Sequence, residues 1–95
     1  PTDEKWKNAD SLVLLSKVVE LVKKQGWEIT NIDSVIVAER PKFKPYIELM
    51  KKNISEITEI DKDLIGIKAT TNEKLGPEGR EEGISCHAVA LLEQK

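Results

Sequence analysis

The sequence predicts an α/β sandwich, a mixed sheet with helices on one face. Three observations support this. Apolar residues recur at helical spacing in two stretches, over residues 12–22 and 46–57. Three further stretches read as strands, one with an unbroken apolar run and two alternating with period two. The order helix, strand, helix, strand, strand contains two connections longer than a hairpin. That implies at least one parallel pairing, with the helices layered on the sheet. Ninety-five residues suit a single domain, 1–95, that buries roughly 60% of its unfolded surface.

Residues 1–9 read as a leading loop in which Trp6 is a packing anchor. Asp10 or Ser11 caps the first helix by offering a side-chain oxygen to free N–H groups. Leu12, Leu15, Val19 and Val22 form its apolar stripe, widened by Leu14, Val18 and Leu21 into one broad buried face. Lys23 and Lys24 complement the helix dipole, and Gly26 supplies the left-handed stop. Residues 27–30 are expected to turn the chain into a strand over 32–38. There Val35-Ile36-Val37 suggests burial on both faces, and Pro41 ends the strand.

Pro45 fits the first turn of a second helix, which carries Tyr46, Met50, Ile54 and Ile57 on one side and a Glu48–Lys52 pair on another. Asp61-Lys-Asp63 makes a turn. Ile65, Ile67, Ala69 and Thr71 then alternate along a second strand, where Gly66 weakens the strand or marks a close approach. A glycine-rich loop follows. Residues 84–92 alternate with period two and read as a strand, although their alanines also suit a helix.

Composition narrows the function. Net charge is −2 with no basic stripe, which disfavours nucleic acid as a partner. No run approaches a membrane span and no signal peptide is visible, so no membrane partner is expected. Cys86 is the single cysteine, which excludes an internal disulfide and suits a reducing compartment. Its place in the alternation reads as inert packing on the apolar face. The Asn53-Ile-Ser55 sequon falls inside a predicted helix and is read as chance.

The stretch that carries chemistry is Lys68-Ala-Thr-Thr-Asn-Glu-Lys-Leu-Gly-Pro-Glu-Gly-Arg80. An apolar strand gives way to two hydroxyls, an amide, a carboxylate and a lysine. Hydroxyls and free N–H groups at a strand's carboxyl end are what a phosphate needs. Glu73 beside a phosphate would repel it unless a divalent cation lay between them, and a carboxylate with phosphate oxygens is a usual magnesium site. A strand running into an ordinary turn, with Thr chosen for β propensity, is the competing reading.

The words Lys68-Ala-Thr-Thr-x-Glu-Lys-Leu-Gly76 and Gly79-Arg80-x-Glu82-Gly83-Ile84 closely resemble the C-terminal signature of the 2-C-methyl-D-erythritol 2,4-cyclodiphosphate synthase family. Asn8-Ala-Asp-Ser11, Asn31-Ile-Asp33 and Ala38-Glu-Arg-Pro-Lys42 resemble it too, so the likeness runs through essentially the whole chain. It implies a ferredoxin-like two-layer sandwich assembled as a homotrimer, here lacking its N-terminal strands. Pro1 is no initiator and the sole methionine is Met50. An upstream third, removed or omitted, is therefore expected.

The resemblance also implies the reaction. The 2-phosphate of 4-diphosphocytidyl-2-C-methyl-D-erythritol 2-phosphate attacks the β-phosphorus and expels CMP, a step of non-mevalonate isoprenoid biosynthesis. It implies that Ala38, Glu39, Arg40, Pro41, Lys42, Phe43 and Lys44 form the cytidine wall. On the residues alone, that stretch reads as a strand-to-helix connector with solvated lysines, and it is the resemblance that favours the pocket. Thr70 and Thr71 carry over as phosphate donors, with Thr71 stabilising the transition state, and Asn72 beside them as a substrate-binding residue. Glu73 carries over as the ligand of magnesium or manganese. Arg80 matches an arginine near the threefold axis, and Thr2 and Asp3 match the end of a substrate loop. The implied compartment is the bacterial cytoplasm, or a plastid in a eukaryote.

Departures from the family pattern are Asn72 for a third threonine, Pro77 for an aromatic, and His87 at a position usually acidic. His87, with no second ligand close in sequence, reads as a strand residue near the oligomer axis. The family's zinc is held by residues upstream of Pro1, so zinc ligands are expected to be absent from this chain, and residues 1–95 alone to be inactive. A non-catalytic trimeric α/β binding or assembly module is the alternative.

Overall fold

A computed structural model describes residues 10–40 and 42–95. Helix α1 (Ser11–Lys24) leads into strand β1 (Trp27–Val37). A 3₁₀ turn (Lys44–Tyr46) precedes helix α2 (Ile47–Thr58), and a second (Lys62–Leu64) precedes strand β2 (Ile65–Thr70). The one-turn helix α3 (Gly76–Gly79) and strand β3 (Ser85–Gln94) complete the chain.

The three strands form one sheet in the order β2-β1-β3, with β1–β2 parallel and β1–β3 antiparallel. This is the mixed sheet that the element order predicts, and the 84–92 stretch is strand rather than helix. Helix α1 packs on α2 and β1, and α2 packs on β2, so both helices cover the same face. Ile36, Ala38, Ile65 and Ile67 form the core there, with Phe43, Ile47, Met50, Ile54 and Ile60 packed around them.

Asp10 caps α1, its carboxylate accepting from the Leu12 N–H at 2.7 Å, and Gly26 takes the left-handed conformation (φ 87°) that ends it. Asp61 caps the second 3₁₀ turn in the same manner, accepting from the Asp63 N–H at 3.0 Å. At Gly66 a Cβ would collide with the Asp33 carboxylate of the neighbouring strand, the close approach anticipated at that residue.

Several expectations need correction. Residues 27–30 belong to β1 rather than to a turn, because they pair with the end of β3 (Trp27↔Gln94, Glu28↔Glu93). The glycine-rich loop contains α3, since Pro77 sits readily in a first helical turn. Glu48 lies 4.0 Å from Lys51 instead of pairing with Lys52. The broad apolar face of α1 is only partly covered: Val19 is buried and Leu14, Leu15 and Val22 are half-buried, but Leu12, Val18 and Leu21 are exposed. Cys86 is exposed as well, since among the described residues neither α1 nor α2 packs on β3, and it has no packing role within this chain. Trp6, Thr2 and Asp3 lie outside the described residues.

Candidate nucleotide site

The site forms where two parallel strands end. Val37 pairs with Thr70, and the Ala38 N–H donates to the Thr70 carbonyl at 3.0 Å. Beyond that bond the chains diverge, one toward α2 and the other into the glycine-rich segment. A cleft of about 150 Å³ opens between them, lined by Ala38, Lys42, Phe43, Lys44, Ala69, Thr70 and Thr71. Carboxyl ends of strands in α/β sheets are where ligands commonly bind. Ala38, Ala69 and Phe43 give an apolar floor and wall suited to a flat ring. The lysines and threonines give the rim charge and hydrogen-bonding groups.

Residues 72–75 form a tight turn closed by the Leu75 N–H donating to the Asn72 carbonyl at 2.9 Å. Glu73 and Lys74 both hold positive φ, 52° and 67°. Each non-glycine residue in that region costs about 1–2 kcal/mol, so the neighbours must hold the turn in place. Thr71 Oγ1 accepts from the Glu73 N–H at 3.3 Å, and the Glu39 carboxylate accepts from the Lys74 N–H at 2.7 Å. Gly79 backs directly on the turn: a Cβ there would stand 2.7 Å from Lys74 Cα. Strain of this kind collects at functional sites, where the surroundings over-determine it.

The structure thus brings Ala38, Lys42, Phe43, Lys44, Thr70 and Thr71 together around one opening. Glu39 faces the turn rather than the cleft. Arg40 reaches Glu81 at 3.1 Å, and Arg80 makes a two-pronged pair with Glu82 at 2.7 and 3.3 Å. Both guanidiniums are therefore engaged by carboxylates outside the cleft. Asn72 Nδ2 donates to Glu78 Oε1 at 3.1 Å. Pro41 and Asp3 lie outside the described residues.

Two residues at the site were not singled out by sequence. Ala69 lines the cleft, and its position one step before the hydroxyls was the available clue. Glu78 accepts from Asn72 and also from the Ser85 hydroxyl in a short contact. The Ser85 bond, then the Glu78 backbone N–H, hold its carboxyl below the usual carboxylate range. No spacing rule connects Glu78 to Asn72, because Glu78 sits on α3 and Asn72 opens the turn before it.

Metal fit differs between the two implied ions. The Glu73 carboxylate is exposed and, among the described residues, takes part in no ion pair. One free carboxylate, with phosphate oxygens and water, is a fitting donor set for magnesium or manganese. Zinc asks for three or four protein ligands. Among the described residues no group of three His, Cys, Asp or Glu side chains comes together, so these residues do not fit zinc. No helix among them is long and apolar enough to cross a membrane.

Comparison with known proteins adds to this geometry. The chain is 76% identical, over all 95 residues, to 2-C-methyl-D-erythritol 2,4-cyclodiphosphate synthase of Prochlorococcus marinus (strain MIT 9215), covering 57% of that protein. It is 61% identical over 93 residues to the enzyme of that name from Synechococcus sp. (strain CC9311), covering 98% of this chain and 56% of that protein. Among solved structures, the bifunctional IspDF of Campylobacter jejuni superposes with a TM-score of 0.94 at 39% identity, over 99% of this chain and 26% of that one. A CDP complex of Plasmodium falciparum IspF gives a TM-score of 0.85 at 36% identity, over 95% of this chain and 56% of that one. The chain therefore spans little more than half the length of the curated relatives it matches. The YgbB family profile matches residues 1–93, and the chain belongs to that family.

Proposed function

We propose that this chain supplies the cytidine diphosphate pocket of a 2-C-methyl-D-erythritol 2,4-cyclodiphosphate synthase. The observation that carries the proposal is the cleft at the ends of β1 and β2, with Thr70 and Thr71 on its rim and Glu73 one turn away. It occurs in a chain whose relatives bear that enzyme's name and whose structural neighbours include CDP complexes.

The reaction asks for alignment and charge neutralisation more than for a protein nucleophile. Backbone groups of residues 38–44 hold the cytosine and ribose against Ala38 and Phe43. Thr70 and Thr71 donate to the diphosphate, and Thr71 strengthens its bond as charge develops on the phosphoryl oxygens. Glu73 holds magnesium or manganese, which when bound neutralises charge on the diphosphate. The 2-phosphate oxygen bonds to the β-phosphorus while the bond to the CMP oxygen breaks.

A ligand pocket usually encloses roughly 300–1,000 Å³, so a cleft of about 150 Å³ holds only part of a nucleotide. The rest of the enclosure, and the zinc ligands, come from outside the described residues or from another copy. Assembly as a trimer is supported by β3, an edge strand with Val89, Leu91 and Leu92 exposed. The cyanobacterial relatives favour a bacterial cytoplasm over a plastid as the working compartment, and the poor fit of the described residues to zinc supports the reading that residues 1–95 alone do not turn over.

Incubating the full-length protein with 4-diphosphocytidyl-2-C-methyl-D-erythritol 2-phosphate and magnesium, followed by phosphorus NMR, tests the proposal. One CMP is expected per cyclic diphosphate, with the rate of Thr71→Ala down by about two to three decades. No CMP release, or an unimpaired Thr71→Ala, overturns it.

A further inference from the structure

We propose that Glu78 is a positioning residue: its carboxylate ties the 72–75 turn to the sheet, and so sets how strongly the cleft holds a nucleotide's diphosphate. This rests on the CDP reading above and deepens it.

The three strands are in register at the cleft. Thr70 pairs with Val37 on one side, and Ser85, the first residue of β3, pairs with Val37 on the other. Glu78 spans from this row to the turn. Its Oε2 accepts from the Ser85 hydroxyl and its Oε1 accepts from Asn72 Nδ2 at 3.1 Å. The carboxylate therefore bridges a fixed strand terminus and the residue that precedes Glu73. Two residues further along the turn, Glu39 holds the Lys74 N–H at 2.7 Å. The turn is held at two points, Asn72 and Lys74, with strained Glu73 between them.

The backbone adds its own constraint. Gly79 is buried against Lys74 with no room for a Cβ, which fixes where α3 lies and hence where the Glu78 side chain starts. The carboxyl is held below its usual range, so it remains an ionised acceptor for both partners near neutral pH. Glu78 does not line the cleft. Its effect must pass through the turn, which would carry the diphosphate and metal contacts, and should leave the base wall at residues 38–44 unchanged.

That asymmetry supplies the test. Calorimetric titrations of the full-length protein with CDP and with cytidine, with and without magnesium, separate the two ends of the ligand. Glu78→Ala is expected to weaken magnesium–CDP binding about tenfold while cytidine stays within about twofold. Glu78→Gln keeps an oxygen for Asn72 and is expected within about threefold of wild type. Should Glu78→Ala fail to fold, Ser85→Ala releases the same carboxylate at its other anchor and is expected to give the same split at about threefold. Equal weakening of CDP and cytidine, an unchanged CDP affinity, or a Glu78→Gln as weak as Glu78→Ala overturns the role. A wild-type protein that does not bind CDP overturns the pocket reading itself. CDP binding that ignores these substitutions overturns the role of Glu78 alone.

Discussion

The Glu39 carboxylate accepts a hydrogen bond from the Lys74 backbone N–H at 2.7 Å, joining segments 35 residues apart in sequence. It ties the segment after β1 to the turn after β2, beside the Ala38–Thr70 bond that borders the cleft. Lys74 is in the left-handed region, so its N–H is directed by a conformation that a bulky residue resists without such a partner. Glu39→Ala should lower stability by about 1 kcal/mol and CDP affinity by about threefold to tenfold. Glu39→Gln, which keeps an acceptor, should cost less of both. Urea unfolding and CDP titration check the pair of values.

Two glycines should respond differently to the same methyl group. At Gly79 an added Cβ meets the Lys74 backbone, which cannot swing aside without moving the turn. At Gly66 it meets the end of the Asp33 side chain, which can rotate away. Gly79→Ala is expected to cost about 1–3 kcal/mol, and Gly66→Ala well under that. Comparing the two denaturation midpoints decides it, and the reverse order would contradict the packing described.

Glu78 gives a pH signature. Its carboxyl is held below the usual range, first by the Ser85 hydroxyl and next by its own backbone N–H. A group with a depressed folded pKa contributes stability that is complete above the ordinary carboxylate pKa and is lost as pH falls through the folded value. The stability difference between wild type and Glu78→Gln should therefore be larger at pH 7 than at pH 3. A difference independent of pH would mean that the ionised carboxylate is not what Ser85 and Asn72 hold.

Glu73→Gln should weaken CDP binding more in the presence of magnesium than in its absence. The carboxylate acts through the cation, so neutralising it removes a metal ligand and a repulsion together. Equal loss in both conditions would leave Glu73 as a surface charge shaping the turn.

Much of the fold was legible because it rests on local periodicity. The stripe in α1, its Asp10 cap and the Gly26 stop all follow from spacing and capping chemistry. The alternation over residues 84–92 marked β3, and Val35-Ile36-Val37 marked the central strand. Strand β1 began earlier than expected because Trp27 and Glu28 are held by partners in β3, more than sixty residues later. Pairing at that separation leaves no local trace. Of the two segments singled out by sequence, each following a strand, the cleft takes Ala38 and Lys42 to Lys44 from one and Thr70 and Thr71 from the other. What joins them was not legible. The Glu39–Lys74 bond depends on a backbone conformation, and the Glu78 bridge depends on where α3 places a side chain. Cys86 was misjudged because alternation says which face a residue is on, but not whether anything covers that face.

The central claim is that CDP lies between residues 38–44 and 70–73. A crystal structure of the full-length protein grown with CDP and magnesium tests it most directly. Cytosine is expected against Ala38 and Phe43, the phosphates within hydrogen-bond reach of Thr70 and Thr71, and the cation on Glu73. CDP seated away from the ends of β1 and β2, or no bound nucleotide at saturating concentration, would contradict it.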